Sequence, residues 1–188
     1  PDLTQLRVTA TSTDQQIGNA PQARVDKDGN FTMDGVPTGS HLIRPTGGPR
    51  GWTLKSVVVD GRDVTDIPID LRSGQRLSNV AVALTDNVSE INGTITNNQG
   101  VPVTDYTVLA FVTDPSYWRP RSRHIMTARP DQTGKFRIRG LPAGGYYVVT
   151  VDPAEQGEWF EATYLEEHRI GAPRVTLGEG ETKTQDFK

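Results

Sequence analysis

Tyr117-Trp118-Arg119-Pro120-Arg121-Ser122-Arg123-His124 is the densest run of groups in the chain that could recognise a ligand. Aromatic rings stack on sugar faces or bases, and guanidinium groups donate to hydroxyls, carboxylates or phosphates. Carried on a loop, Tyr117, Trp118, Arg119, Arg121 and Arg123 would form a contact for a protein surface first and a glycan second. The alternative is that Trp118 folds back onto the protein while the arginines stay in water.

Other chemistry lacks the residues it needs. A zinc peptidase requires clustered His and Glu, but His41, His124 and His168 are far apart and none starts an H-E-x-x-H or H-x-x-E motif. Gly39-Ser40-His41 follows Pro37 at a corner and is not a G-x-S-x-G elbow. The sequence has no P-loop and no G-x-G-x-x-G ahead of a helix. Asp26-Lys27-Asp28-Gly29-Asn30 lacks the full spacing of a calcium loop and reads as a hairpin with Asp-Gly at its tip. Asp60, Asp63 and Asp66 could gather oxygens for a hard cation, though a solvated turn is the simpler reading. These patterns call for no catalytic residue, metal or cofactor. Asn30, Asn87 and Asn92 open N-x-S/T triplets and are candidate glycosylation acceptors.

Composition narrows the partners. A net charge of −3 over 188 residues gives no extended basic face, so nucleic acid is not expected. No apolar run approaches the ~20 residues of a spanning helix, so this segment is not expected to insert in a membrane. Cysteine is absent, which removes disulfides and thiolate metal sites and is neutral about compartment. The chain opens with Pro1, without Met or a signal peptide, and reads as a mature or excised piece of a longer protein.

The elements that would position these groups are short strands. Ala128–Val151 reads as strand, turn at Thr133-Gly134, strand, a Leu141-Pro142-Ala143-Gly144-Gly145 corner, and strand. Ala23–Ile43 repeats the order Ala, Arg, Asp, Gly, Phe, Gly, Pro, Gly without a gap, and Leu71–Gly74 matches Leu177–Gly180. Two domains follow, 1–86 and 87–188. The first should contain strands over Leu3–Thr13, Ala23–Val25, Phe31–Met33, His41–Arg44, Trp52–Val59, Ile67–Leu71 and Leu77–Leu84. The second should contain Ile91–Thr96, Tyr106–Val112, His124–Ala128, Phe136–Arg139, Tyr146–Val151, Val175–Leu177 and Lys183–Phe187. Asp14–Pro21 reads as a polar loop. Gly157–His168 is the one short helix, with Trp159, Phe160, Thr163, Tyr164 and Leu165 on its apolar face; acidic residues from Glu155 to Glu167 line the other. The second half has a strand, Ile91–Thr96, ahead of Tyr106; the first half starts at the equivalent of Tyr106, near Leu6. Its opening strand is missing, and either preceding residues or another chain would have to cover that edge.

Gly93-Thr94-Ile95, Gly100-Val101-Pro102, Asp131, Gly134, Phe136, Gly140, Leu141, Pro142, Gly144 and Tyr146 form a pattern that resembles the carboxypeptidase regulatory-like domain. Asp26, Gly29, Phe31, Gly35, Val36, Pro37 and Gly39 repeat it, with His41-Leu42 where Tyr is usual. The resemblance implies an all-β chain of two tandem transthyretin-like (prealbumin-like, Ig-like) antiparallel β-sandwiches, with the short helix in the second. It also implies a non-catalytic module of a secreted or surface protein. Such a module is extracellular, at the cell surface or periplasmic, and acts as stalk, spacer or assembly unit, with a fibre subunit completed by strand donation as one form. Its partners would be neighbouring domains or identical subunits. Lys–Asn or Lys–Asp isopeptide cross-links, found in some adhesins of this sandwich type, need a Lys on the opening strand; Ile91–Thr96 and Leu6–Thr11 have none.

Overall fold

The structure, a computed structural model, describes residues 2–13, 20–153 and 158–188. Most of the polar loop expected at Asp14–Pro21, and the expected helix start at Gly157 with Glu155, lie outside the described residues. The fold is all-β, with one short α-helix among the described residues. It divides into two compact units, Pro1–Asp86 and Asn87–Lys188.

In the first unit, β1 (Arg7–Ser12), β2 (Gln22–Arg24), β3 (Gly39–Thr46) and β6 (Ile69–Leu71) form one sheet in the order β2-β1-β3-β6. A second sheet holds β5 (Arg62–Asp63), β4 (Thr53–Val59) and β7 (Val80–Thr85) in the order β5-β4-β7. In the second unit, β9 (Thr107–Val112), β10 (Ile125–Ala128), β12 (Gly144–Val151) and β13 (Arg174–Leu177) are ordered β10-β9-β12-β13. They face a sheet of β8 (Glu90–Thr94), β11 (Lys135–Arg139) and β14 (Thr182–Thr184), ordered β11-β8-β14. Here α1 (Ala162–His168) follows a 3-10 turn at Glu158–Phe160. Leu165 is buried and Trp159, Phe160 and Tyr164 pack on the core, whereas Thr163, expected on the apolar face, is exposed.

The four-stranded sheets match in register. Val8 stands opposite Ala23 on one side and Pro45 on the other. Val108 stands opposite Ala128 and Thr150. His41 pairs with Ser12 and Ile69, as Tyr146 pairs with Val112 and Val175. Alternation sets which face is buried, so a shared register places like positions in each core. In the second unit that core is closed to solvent. Ile91, Phe136 and Ile138 from one sheet meet Val108, Tyr146 and Leu177 from the other, all nearly inaccessible.

The three-stranded sheets differ. β8 is a central strand, antiparallel to β11 and parallel to β14. The first unit has no strand in that position among the described residues, and β4, antiparallel to β7, lies on the flank away from it. Phe31–Met33, expected to be a strand, is not one: among the described residues it has no neighbouring strand to bond to. The first ladder also starts only at Arg7, because Leu3–Leu6 closes a turn through Leu6 N–H to the Leu3 carbonyl.

Candidate functional site

The Tyr117–His124 run grows out of the end of β9. The Asp114 carboxylate accepts the Ser116 N–H at 2.9 Å and caps a 3-10 turn over Pro115–Tyr117. That hydrogen bond, with the His124 charge contributing less, holds the Asp114 carboxyl below the usual aspartate range. The turn swings Trp118 inward. Its indole N–H donates to the Val112 carbonyl at 2.7 Å, and its ring meets Phe111 edge-on at 5.6 Å and 70°. Tyr117 stacks on His124 at 4.3 Å. The Val112 N–H then bonds the His124 carbonyl and closes the loop at its base. Arg121 is exposed and takes φ +62, a left-handed conformation that is uncommon for a side chain of this size. Arg119 and Arg123 are half-buried. Of the five residues expected to contact a partner, the loop thus turns Trp118 into the core, stacks Tyr117, and leaves Arg121 as the most open cation.

Other candidates also serve the fold. His41 is buried, with Nδ1 3.0 Å from the Gly39 carbonyl, which fixes the proton on that nitrogen. Its counterpart Tyr146 donates to the Pro142 carbonyl at 2.8 Å, and His124 Nδ1 lies 3.4 Å from the same hydroxyl. Tyr146 thereby clamps the Leu-Pro-Ala-Gly-Gly corner as a tyrosine corner does. His168 Nδ1 meets the Tyr164 carbonyl at 2.8 Å. Asp63 accepts the Thr65 N–H at 2.8 Å and its hydroxyl at 2.6 Å, and Asp66 pairs with Arg44 at 3.2 Å. Among the described residues no group of three His, Asp or Glu is placed to hold a metal ion. Asn30 and Asn87 are exposed. Asn92 is half-buried; its amide donates to Glu90 at 3.1 Å and its carbonyl accepts the Thr184 hydroxyl at 2.9 Å. A glycan on that nitrogen would compete with both sheet contacts.

A second feature lies in the first unit. Phe31 and Met33, from the unpaired segment, pack on Leu6, Val8 and Val25. So do Val82 and Leu84 of β7, and all four remain only partly buried. Their counterparts Phe136 and Ile138 are sealed by Ile91, which is fully buried. β7 is an edge strand on the flank away from β4. The sequence already implies an uncovered edge in this unit, though not which side chains it leaves bare. The signal is that an absent opening strand leaves its two neighbours unpaired.

No family model matches the chain, and no curated protein matches it in sequence. Among solved structures, the Bacillus anthracis TIE protein is 13% identical with a TM-score of 0.35; the match covers 99% of this chain and 30% of that one. The chain thus spans less than a third of that protein. The minor pilin GBS52 of Streptococcus agalactiae is 12% identical with a TM-score of 0.32, covering 97% of this chain and 80% of the other. The shaft pilin SpaA of Lactobacillus rhamnosus GG is 9% identical with a TM-score of 0.35, covering 97% and 87%. Scores and identities this low carry no conclusion about shared role. No helix among the described residues is long and apolar enough to cross a membrane.

Proposed function

We propose that the chain is a pair of non-catalytic, carboxypeptidase regulatory-like sandwich modules, copies of one ancestral domain, serving as spacer or assembly unit in a secreted or surface protein. The observation that carries this reading is the shared register. The strand pairs of the β2-β1-β3-β6 sheet recur position for position in β10-β9-β12-β13. Repeated modules of one geometry suit an array that sets distance between its ends. The use made of the polar groups points the same way: His41, Asp63, Asp66, Trp118 and Tyr146 each hold a turn, a corner or a core contact. The Tyr117–His124 loop acts in this reading as a cap on its sandwich, with Arg121 available to neighbouring domains or subunits. A surface address is tested by applying antibodies against the chain to intact cells of its source. Labelling without permeabilisation is expected; labelling only after lysis would overturn the surface role.

A further inference from the structure

We infer that the strip between Phe31–Met33 and β7 is the seat of one more β-strand, supplied by the stretch of polypeptide directly ahead of Pro1 in the full protein. The inference rests on the two-module reading, because the second unit serves as its template. There, β8 fills the corresponding seat, antiparallel to β11 and parallel to β14, with Gly93 opposite Phe136 and Ile91 opposite Ile138. The arriving strand would therefore run antiparallel to Phe31–Met33 and parallel to β7. It would set a small residue opposite Phe31 and a branched apolar one opposite Met33. Its chemistry is alternation: apolar side chains inward onto Leu6 and Val8, polar ones outward, as Ile91 and Ile95 are buried while Asn92 and Thr94 are half-exposed.

The source follows from connectivity. β8 is the strand immediately before β9, and the connection between them opens with a tight turn. Asn97 Oδ1 accepts the N–H groups of Gln99 at 2.9 Å and Val101 at 3.0 Å, and Gly100 takes φ +77. The chain then returns through the Val103 N–H to the Ile95 carbonyl. By the shared register Leu3 matches Val103, and each packs on its own core. A strand ahead of Pro1 thus reaches the seat by a turn that this chain already makes, whereas a second copy would have to surrender a strand from its own sheet.

The test replaces Pro1 with a copy of Ser89–Val101, so that the graft joins at Asp2. A control graft carries Ile91→Asp and Ile95→Asp in the copied segment only, and reports a segment that is present but cannot be buried. The true graft is expected to raise the melting temperature of the first unit by roughly 10 °C. It should also slow amide exchange at Phe31, Met33 and Val80–Thr85 at least about tenfold, with the control unchanged from the parent chain. Equal behaviour of the two grafts would overturn the seat. Concentration-dependent oligomers of the ungrafted chain, already protected at Phe31 and Met33 and dispersed to monomers by the graft, would overturn the source in favour of a second copy. Either failure leaves the cell-labelling result untouched, and intracellular labelling would leave the graft result untouched.

Discussion

Ile91 stands directly opposite Ile138 across β8 and β11, and both are buried; Met33, which matches Ile138 in the first unit, is half-buried and faces no strand among the described residues. The four-stranded sheets of the two units share a register; the three-stranded sheets do not, and this seat is one of the places where they part. A cross-strand apolar pair contributes by removing area from water and by completing the ladder. Ile91→Ala in the second unit should therefore cost about 2–5 kcal/mol, measured by denaturant unfolding, while Met33→Ala should cost well under half as much.

Trp118 separates a core role from a ligand role. Its indole is 8% exposed and bonded to the Val112 carbonyl. Trp118→Ala should destabilise the second unit by about 3–5 kcal/mol, whereas Arg121→Ala should stay within about 0.5 kcal/mol. Thermal or denaturant melts of the two variants check the contrast; a Trp118→Ala variant as stable as the parent would show the ring dispensable to the fold.

Tyr146→Phe removes the hydroxyl that clamps the Pro142 carbonyl. The ring stays in place and the core volume is kept, so the loss should be that of one hydrogen bond, about 1 kcal/mol. Urea unfolding of the variant, at an unchanged m-value, is the measurement.

The turns at Asp26 and Asp131 are the same structure made twice, and neither closes a hairpin: β10 and β11 pair with different strands, and Phe31–Met33 is not a strand. Asp26 Oδ1 accepts the N–H groups of Asp28 at 2.9 Å and Asn30 at 2.8 Å; Asp131 Oδ1 accepts those of Thr133 at 2.8 Å and Lys135 at 3.1 Å. The Asn30 N–H chiefly lowers the first carboxyl, and the hydrogen bonds from Thr133 chiefly lower the second, each below its ordinary value. A depressed carboxyl stabilises the fold above its unfolded pKa, and that contribution fades as pH falls through the lower, folded one. Stability should therefore drop below about pH 4. Asn97 makes the same turn without a titrating group. Asp26→Asn and Asp131→Asn together should keep the turns and flatten the acid limb of a melting-temperature profile between pH 5 and pH 2 on the order of the values at which carboxylates titrate.

Much of this architecture can be read from residues alone, and the reason is local. Asp-x-x-Gly fixes a turn because the carboxylate gathers two N–H groups and the glycine takes positive φ; Leu-Pro-Ala-Gly-Gly fixes a corner in the same self-contained way. Trp118 was open between ligand and core because its fate depends on Phe111 and the Val112 carbonyl, brought beside it only when β9 is in place. Phe31–Met33 misled for a related reason. Alternation reports which face of a segment is apolar and not whether a neighbour exists to bond with it. The contact of β4 with β7 was equally silent, since pairing between distant strands leaves no mark in either one.

The most direct measurement is residue-resolved hydrogen exchange on the unmodified monomer, comparing Phe31–Met33 with Phe136–Ile138 at the same pH and temperature. Amides of Phe136–Ile138 paired against β8 should be protected close to the global limit of their unit, while those of Phe31–Met33 exchange at near-random-coil rates. Equal, strong protection of both segments would contradict a first sandwich that still lacks a strand.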